Sequence, residues 1–248
     1  MIQNLHPDFR PHAQALLEIL AYAKANNPEP EALVEWIGQD ESRHHSWMWA
    51  DSMLKLNRVM ALGGSAFAVP FLDPDVCEGL VDHSVELGVQ HGHRPNLEEN
   101  PAYQIPEIVV KHVAPSLHDL LAHWGDFLNI WFMLIWQCEP SHISSIQFAK
   151  YEPNGTAHGN WHHDQDSPFT AVVSLAPELF EGGGTDIRLT ATEYCSIPPL
   201  PPGYALILNG QQLMHRGRAV TSGVRHLLVY WLSHCAPSVS ISQTSSVE

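Results

Sequence analysis

The sequence predicts a mainly β chain with helices at its N-terminus, an α+β arrangement whose core is an antiparallel double sheet or jelly roll. From residue 130 onward, short apolar stretches recur at near-regular spacing, and Gly- or Pro-rich turns such as 181–185 and 198–203 separate them. Such spacing without intervening helical segments is typical of sandwiches and barrels. Residues 1–60 instead carry apolar residues at helical spacing.

The length indicates one main domain with a small addition. A chain of 248 residues with 44% hydrophobic residues can build a sizeable core. We expect a helical N-terminal extension over 1–60, the main domain over 61–235, and a Ser-rich, disordered tail over 236–248.

Charge and cysteine usage limit the partners and the compartment. Acidic residues outnumber Lys and Arg 27 to 12, for a net charge of −15, which argues against nucleic acid as a partner. The same charge mildly favours a cationic or neutral substrate, although solubility is the more common reason for such a charge. The longest apolar stretch, 130–136, is too short to span a membrane, and no signal peptide is recognisable. The four cysteines form no CxxC pair, so a reducing, cytoplasmic setting is expected.

Helices are predicted in the first half of the chain. Periodicity indicates helices at 14–25, 30–38 and 40–56, and later at 115–127. A strand over 66–71 precedes another helix, which Asp73 caps with Pro74 in its first turn and which we expect to end at Gly88.

A long polar loop and a series of strands follow. Residues 89–105 are predicted to form a loop, and loops of that length often bind substrate or act as lids. Strands are predicted at 131–138, 143–151, 161–164, 169–175, 185–189, 204–208 and 226–232.

The most informative residues are His162, Asp164 and His215. A His-x-Asp pair with a distant His is the spacing of a facial triad, in which two imidazoles and a carboxylate bind one face of Fe(II). On a strand, His162 and Asp164 would share a face while His163 points away. His163 and Asp166 remain competing ligands.

Arg225 indicates what the metal site binds. Strand alternation places Arg225 on one face with Leu227, Val229 and Trp231. An arginine among apolar side chains is costly unless an anion pairs with it, and a bound dicarboxylate would supply that anion. The alternative is an arginine at a strand end that reaches solvent or an internal Asp.

Together these motifs resemble the prolyl and lysyl hydroxylase branch of the Fe(II)- and 2-oxoglutarate-dependent dioxygenases. The similarity begins near Phe67, covers about two thirds of the chain, and is carried by segments in the order found in that family. These segments are 71–84, 150–155, 162–170, 180–187, 201–208 and 215–225. HHD at 162–164, Phe-Thr at 169–170 and FEGGG at 180–184 look especially close to lysyl hydroxylase catalytic domains.

The resemblance implies a double-stranded β-helix and a set of residue roles. His162, Asp164 and His215 would be the iron ligands, and Arg225 would bind the far carboxylate of 2-oxoglutarate. Three further residues would belong to the cofactor site: Tyr151 as a hydrogen-bonding partner of the co-substrate, with Thr170 and Trp231 as pocket walls. Fe(II), 2-oxoglutarate and O₂ are implied, with ascorbate as a candidate auxiliary.

The implied reaction is hydroxylation of an unactivated C–H bond in a free or peptidyl amino acid, with prolyl and lysyl side chains as the first candidates. In halogenating relatives a small residue replaces the carboxylate, so Asp164 indicates hydroxylation. One alternative is a jelly-roll sensor or binding module that holds metal without turnover. Another is a cupin-type metalloenzyme that does not use 2-oxoglutarate, which would leave Arg225 unexplained.

Overall fold

The computed structural model describes residues 2–61, 63–95, 105–138, 140, 142–165 and 167–233. Its helices are α1 (Arg10–Asn26), α2 (Pro30–Gly38), α3 (Glu41–Leu56), α4 (Pro74–His91), α5 (Val110–Val113), α6 (Pro115–Gly125) and α7 (Leu128–Trp136). Its strands are β1 (Arg58–Ala61), β2 (Gly64–Pro70), β3 (Arg94–Pro95), β4 (Pro106–Val109), β5 (Ile143–Tyr151), β6 (Phe169–Ser174), β7 (Phe180–Gly182), β8 (Thr185–Arg188), β9 (Tyr194–Ile197), β10 (Tyr204–Leu208), β11 (His215–Gly217), β12 (Val220–Gly223) and β13 (Arg225–Leu232).

Within the described residues the strands form three antiparallel sheets. The main sheet has eight strands in the order β1-β2-β10-β6-β13-β5-β4-β3. A minor sheet has the order β11-β8-β9, and β12 pairs with β7. The protein therefore combines helices with antiparallel strands, as predicted, although its helical content beyond residue 60 is larger than the sequence indicated.

Alternation along the strands gives the main sheet two different faces. Phe148, Val173 and Leu228 belong to the large core that the sheet shares with the helices. Their neighbours on the other face, such as Val172 and Leu227, line a cavity on the side of the minor sheet. This period of two is what places functional side chains on the cavity side.

The three N-terminal helices are confirmed as α1, α2 and α3. The Asp40 side chain accepts a 2.9 Å hydrogen bond from the Arg43 N–H and so caps α3. Phe9 and Leu16 are fully buried in the same core as the main sheet. The helices are thus packed onto the sheet, while a domain boundary at residue 60 stays a prediction.

Helix α4 begins as predicted but ends later. Asp73 caps it by accepting a 2.9 Å hydrogen bond from the Asp75 N–H. Gly88 lies inside the helix, where an added Cβ would meet the His93 ring at 2.7 Å. This glycine therefore permits close packing and does not end the helix. The predicted loop at 89–105 is accordingly wrong at its start, where α4 continues to His91, and its residues 96–104 lie outside the described residues.

The predicted strand at 131–138 is wrong, because this segment belongs to helix α7. The sequence LNIWFMLIW is apolar at almost every position, so its pattern fits a buried helix as well as a buried strand. Tertiary packing determines that the segment is helical. The ring centroids of Trp131 and Phe9, on the α1 side, lie 5.2 Å apart, and those of Phe132 and Phe169, on β6, lie 5.3 Å apart. Gln137 ends the helix in the left-handed conformation, with φ of 53°.

The remaining strand predictions are confirmed within one or two residues, except for 161–164, which forms no strand. The tail at 236–248 lies outside the described residues. Among the described residues, no helix has both the length and the apolar character needed to cross a bilayer. Cys77 and Cys195 are free thiols, whereas Cys138 is disulfide-bonded.

Candidate metal centre

Three side chains converge beside the minor sheet. One ligand atom each from His162, Asp164 and His215 lies within 4.8 Å of the other two. Asp164 and His215 are buried and His162 is half-buried. The structure thus brings together the three residues that the sequence singled out, and their role as metal ligands remains a proposal.

Backbone pairing, and not a continuous strand, positions the two histidines. His162 forms an isolated bridge with His215, in which each N–H donates to the other's carbonyl at 3.0 Å. The Asp164 N–H donates to the Gly210 carbonyl at 2.9 Å. The predicted strand at 161–164 is therefore wrong, because the segment forms an isolated bridge at His162 and not a continuous strand.

Hydrogen bonds to the backbone orient both imidazole rings. His162 Nδ1 lies 2.8 Å from the Asn160 carbonyl, and His215 Nδ1 lies 2.9 Å from the Leu213 carbonyl. A carbonyl accepts from Nδ1–H, so Nε2 is left as the lone-pair nitrogen. The Nε2 atoms of His162 and His215 lie 3.3 and 3.6 Å from Asp164 Oδ1.

The Asp164 carboxylate is held from two sides. Its Oδ2 accepts a 2.5 Å hydrogen bond from the Thr170 hydroxyl on β6. Gly210 packs directly against the same carboxylate, so a Cβ at that position would collide with Oδ2. Both contacts fix the direction in which Oδ1 points.

The electrostatics of the cluster favour the protonation states in which these side chains bind metal. Burial lowers the pKa of His215, an effect that the nearby Asp164 carboxylate only partly offsets, and so favours the neutral imidazole that binds metal. Burial would raise the pKa of Asp164, but His215, His162 and the Thr170 hydrogen bond together lower it. A neutral histidine beside an ionised carboxylate is the state required of a ligand set.

These residues fit a divalent metal ion. Metal–ligand bonds of about 2.1 Å at right angles would separate neighbouring ligand atoms by about 3 Å, and the Nε2–Oδ1 distances of 3.3 and 3.6 Å are close to that value. Two imidazoles with one carboxylate and open positions are the donor set of non-haem Fe(II) oxygenases.

Arg225 lies in the same cavity as the triad. It is only 6% exposed, and its Nη1 donates a 2.8 Å hydrogen bond to the Gly184 carbonyl. No carboxylate of a described residue pairs with it, so the alternative of an internal Asp is not found. Its guanidinium lies 5.5 Å from the Tyr151 ring, and burial lowers its pKa.

The cavity measures about 130 Å³ and brings together every site residue named from the sequence. Its lining includes the triad together with Tyr151, Thr170, Arg225, Leu227, Val229 and Trp231. Strand alternation along β13 therefore predicted correctly that Arg225, Leu227, Val229 and Trp231 share one face, which is the face toward the cavity. Tyr151 is paired with Arg225 in the sheet register, and Trp231 with Thr170.

The competing ligands named from the sequence differ in outcome. His163 is exposed, and although it lines the cavity it is not part of the cluster. Asp166 lies outside the described residues.

Several residues in or beside the cavity were missed by sequence reasoning. Gly210 was interpreted only as part of an Asn-Gly turn, although its lack of a side chain makes room for the Asp164 carboxylate. Glu107 and Gln147, on β4 and β5, are buried polar residues that line the cavity. The charged Glu107 within the otherwise apolar PEIV strand was an available signal, but which face it occupied depended on pairings distant in sequence.

Comparisons with known proteins give a relative for part of the chain. No protein-family model matches the chain. Over 102 residues, 38% of the chain, it is 30% identical to a PKHD-type hydroxylase of Crocosphaera subtropica. The match spans 44% of that hydroxylase, so the chain covers less than half of the length of this curated relative.

Solved structures show the fold. The chain is similar to a Pseudomonas putida prolyl-4-hydroxylase, with a TM-score of 0.52 and 17% identity over 68% of this chain and 92% of that one. It is also similar to a non-haem α-ketoglutarate-dependent carbocyclase from nogalamycin biosynthesis, with a TM-score of 0.53 and 15% identity over 68% and 79% of the two chains. The chain therefore shares the fold of 2-oxoglutarate- and Fe(II)-dependent oxygenases, prolyl hydroxylases among them. The closer likeness to lysyl hydroxylases stays a prediction.

Proposed function

We propose that the protein is an Fe(II)- and 2-oxoglutarate-dependent oxygenase with a double-stranded β-helix core, which hydroxylates a prolyl or lysyl side chain of a free or peptidyl amino acid. One observation carries the proposal: the His162, Asp164 and His215 cluster and the buried guanidinium of Arg225 line a single cavity. The name of the Crocosphaera relative, a PKHD-type hydroxylase, supports hydroxylation as the reaction.

The chemistry that the cofactor supplies is the activation of O₂. One oxygen atom enters the substrate C–H bond as hydroxyl, and the other enters 2-oxoglutarate as it becomes succinate and CO₂.

The residues of this chain bind and orient. His162, Asp164 and His215 would hold the metal through Nε2, Oδ1 and Nε2, with Thr170 and two backbone carbonyls keeping these atoms in place. Arg225 would form a two-pronged ion pair with the far carboxylate of the co-substrate. The charge of that carboxylate would offset the cost of burying an arginine at 6% exposure.

The apolar wall of the cavity would exclude water from the reaction. Val172, Leu206, Leu227 and Val229 line it between the metal cluster and the Arg225 end. Exclusion of water strengthens the electrostatic contacts to the co-substrate and limits side reactions.

A module that binds metal without turnover has no need of a buried arginine next to the metal ligands that pairs with no carboxylate of the described residues. The fold itself allows other oxidations, because the carbocyclase from nogalamycin biosynthesis has it as well. Hydroxylation is therefore the part of the proposal that needs a product assay. Ascorbate and a cytoplasmic location remain predictions.

The test combines a co-substrate assay with mass spectrometry. The protein is supplied with Fe(II), 2-oxoglutarate carrying a label at C1, and mixtures of prolyl and lysyl peptides or the free amino acids. We expect iron-dependent release of labelled CO₂ and a substrate that gains one oxygen atom. Labelled CO₂ with loss of two hydrogens would indicate another oxidation, and no CO₂ release with any substrate would contradict the proposal.

A further inference from the structure

Three arginines lie together on the outer face of the minor sheet, which is the face away from the cavity. β11 and β8 pair so that His215 faces the cavity, and their register therefore directs Arg216 and Asp186 to the opposite face. Arg188 occupies the next outward position of β8, and Arg218 follows β11. We call Arg188, Arg216 and Arg218 the arginine face.

The arginine face carries more positive than negative charge. The side chain of Asp186 is 4% exposed, and its carboxylate lies 2.9 Å from Arg216 Nε and 3.4 Å from Arg218 Nε. Arg188 forms no ion pair with a carboxylate of the described residues. The single negative charge of Asp186 can therefore offset only one of the three positive charges.

This local charge is opposite to the charge of the whole chain. Acidic residues outnumber Lys and Arg 27 to 12, so basic side chains are scarce, and three of the twelve stand on this one face. The side chains of Arg216 and Arg218 are 33% and 39% exposed, so a ligand can reach them. Neighbouring positive charges repel each other unless an anion approaches. The arginine face therefore indicates a place for an acidic ligand.

Two aromatic rings hold the arginines in place. The guanidinium groups of Arg188 and Arg216 lie 4.1 and 4.6 Å from the centre of the Trp161 ring. The Tyr194 ring lies 5.7 Å from that of Trp161, between centroids, and Tyr194 is 49% exposed. A guanidinium stacked on a ring is pre-organised, and its planar donors match the two oxygens of a carboxylate. Arginine with tyrosine and tryptophan is also the composition typical of protein-binding surfaces.

The arginine face adjoins the mouth of the cavity. Trp161 precedes His162 in the chain and Arg216 follows His215, so each is attached to a residue of the candidate metal cluster. His163 is exposed and lines the cavity, which places the opening beside this segment. Neighbouring strands lie about 4.8 Å apart and an extended chain advances about 3.3 Å per residue. A peptide whose target residue enters the cavity would thus cross the arginine face within about two to five residues of the target.

We propose that the arginine face binds acidic residues that flank the target residue in a polypeptide, so that the substrate is a peptidyl residue in an acidic segment and not a free amino acid. This inference rests on the proposed function. Carboxylates of the segment would accept paired hydrogen bonds from Arg188 and Arg218. A nucleic acid is disfavoured, because its phosphate backbone would extend beyond these three arginines onto a chain with a net charge of −15.

Calorimetry with blocked peptides tests the proposal on the full chain, under argon with Mn(II) and 2-oxoglutarate present. The peptides, of about a dozen residues, share a central Pro-Lys pair and differ in their flanks, which are Asp and Glu, Ser and Gln, or Lys and Arg. We expect the acidic peptide to bind at least about tenfold more tightly than the neutral one, with a difference that shrinks as salt is added.

The net charge of the chain by itself favours the basic peptide, so non-specific attraction cannot produce the expected order. Equal binding of the acidic and neutral peptides, tightest binding of the basic peptide, or no measurable binding of the acidic peptide would overturn the proposal. So would a single-stranded oligonucleotide of equal charge that binds more tightly than the acidic peptide.

Variants locate the preference. Arg188→Gln and Arg218→Gln should each reduce the acidic-over-neutral ratio by at least about threefold. Arg43→Gln on α3 is the matched control, because it removes the same charge from a guanidinium that also lies over an indole, 3.6 Å from the centre of the Trp36 ring. A ratio that survives both arginine-face variants, or that the control reduces equally, would contradict the assignment. Circular dichroism establishes that each variant is folded, and the wild-type comparison stands if one is not.

The result separates this inference from the proposed function. If labelled CO₂ is released as efficiently with free amino acids or the neutral peptide as with the acidic peptide, the role of the arginine face is wrong and the oxygenase assignment stands. If no substrate supports CO₂ release, the oxygenase assignment fails, and the calorimetric order of the three peptides still decides whether the arginine face binds acidic segments.

Discussion

Thr170 donates a 2.5 Å hydrogen bond to Oδ2 of Asp164, and this bond ties the candidate metal ligand to the centre of the main sheet. Thr170 lies on β6, paired in register with Leu208 of β10 and Trp231 of β13. The carboxylate is thereby fixed to the rigid part of the fold, although its own backbone belongs to a loop.

Removing this hydrogen bond should weaken metal binding without unfolding the protein. Thr170→Val keeps the shape of the side chain but lacks the donor, so the Asp164 carboxylate loses its orientation. Outer partners of metal ligands typically contribute about 10- to 100-fold in affinity. A Mn(II) or Co(II) titration should show a loss of that size, and Thr192→Val, in an exposed turn, should show none. Equal affinity in both variants would mean that the hydrogen bond does not orient the ligand.

Gly210→Ala should reduce metal affinity more than Thr170→Val does, because the added Cβ would collide with the Asp164 carboxylate. We expect loss of metal binding in a chain that still folds. Gly79→Ala is the matched control, since an added Cβ there meets nothing within 4 Å. Within helix α4 this control should raise the free energy of unfolding by about 0.5–1 kcal/mol. Normal metal affinity in the Gly210 variant would show that the carboxylate has another position available.

Arg225→Met should separate co-substrate binding from stability. Without its guanidinium, the protein should bind 2-oxoglutarate more than about tenfold less tightly by calorimetry with Mn(II) under argon. Its thermal stability without co-substrate should be equal or higher, because an apolar side chain replaces a buried charge. Arg58→Met on the edge strand β1 serves as the control. Unchanged 2-oxoglutarate affinity would contradict the role proposed for Arg225.

Stability should decrease in mild acid, partly because of His93. Burial is the main cause that lowers the pKa of His93 to about 4, and Lys150 and His226 lower it further. Since the unfolded chain has the ordinary histidine pKa of about 6.5, it binds more protons than the folded chain between pH 6.5 and 4. The free energy of unfolding should therefore fall as the pH drops through this range, and be fully retained above it.

Urea denaturation at a series of pH values checks this expectation. His93→Gln should flatten the slope between pH 6.5 and 4, whereas His91→Gln at an exposed position should not. An identical slope in wild type and the His93 variant would assign the acid sensitivity to other groups, such as the buried His12 or His226.

The sequence allowed much of the fold to be predicted where local signals were strong. Helices α1–α3 have clear periodicity and stop signals, and β5 and β10 match their predicted bounds. Helix α7 could not be distinguished from a strand, because a run of apolar residues carries no period and only its contacts with Phe9 and Phe169 determine its form.

The candidate site was also predictable only in part, where local patterns in the sequence report it. Spacing was sufficient to find His162, Asp164 and His215, and alternation placed Arg225 on the cavity face. The bridge between His162 and His215 and the packing of Gly210 against Asp164 are long-range contacts, so no local pattern reports them. Glu107 and Gln147 depend likewise on the register of β4 against β5.

The most direct measurement of the central claim is 2-oxoglutarate turnover by the three ligand variants. Succinate formed per minute would be measured with saturating Fe(II) for wild type and for His162→Ala, Asp164→Ala and His215→Ala, with His163→Ala as the neighbouring control. We expect succinate formation by wild type and His163→Ala, and a loss to background in each of the three ligand variants. Undiminished succinate formation by all three would show that this cluster is not the metal centre.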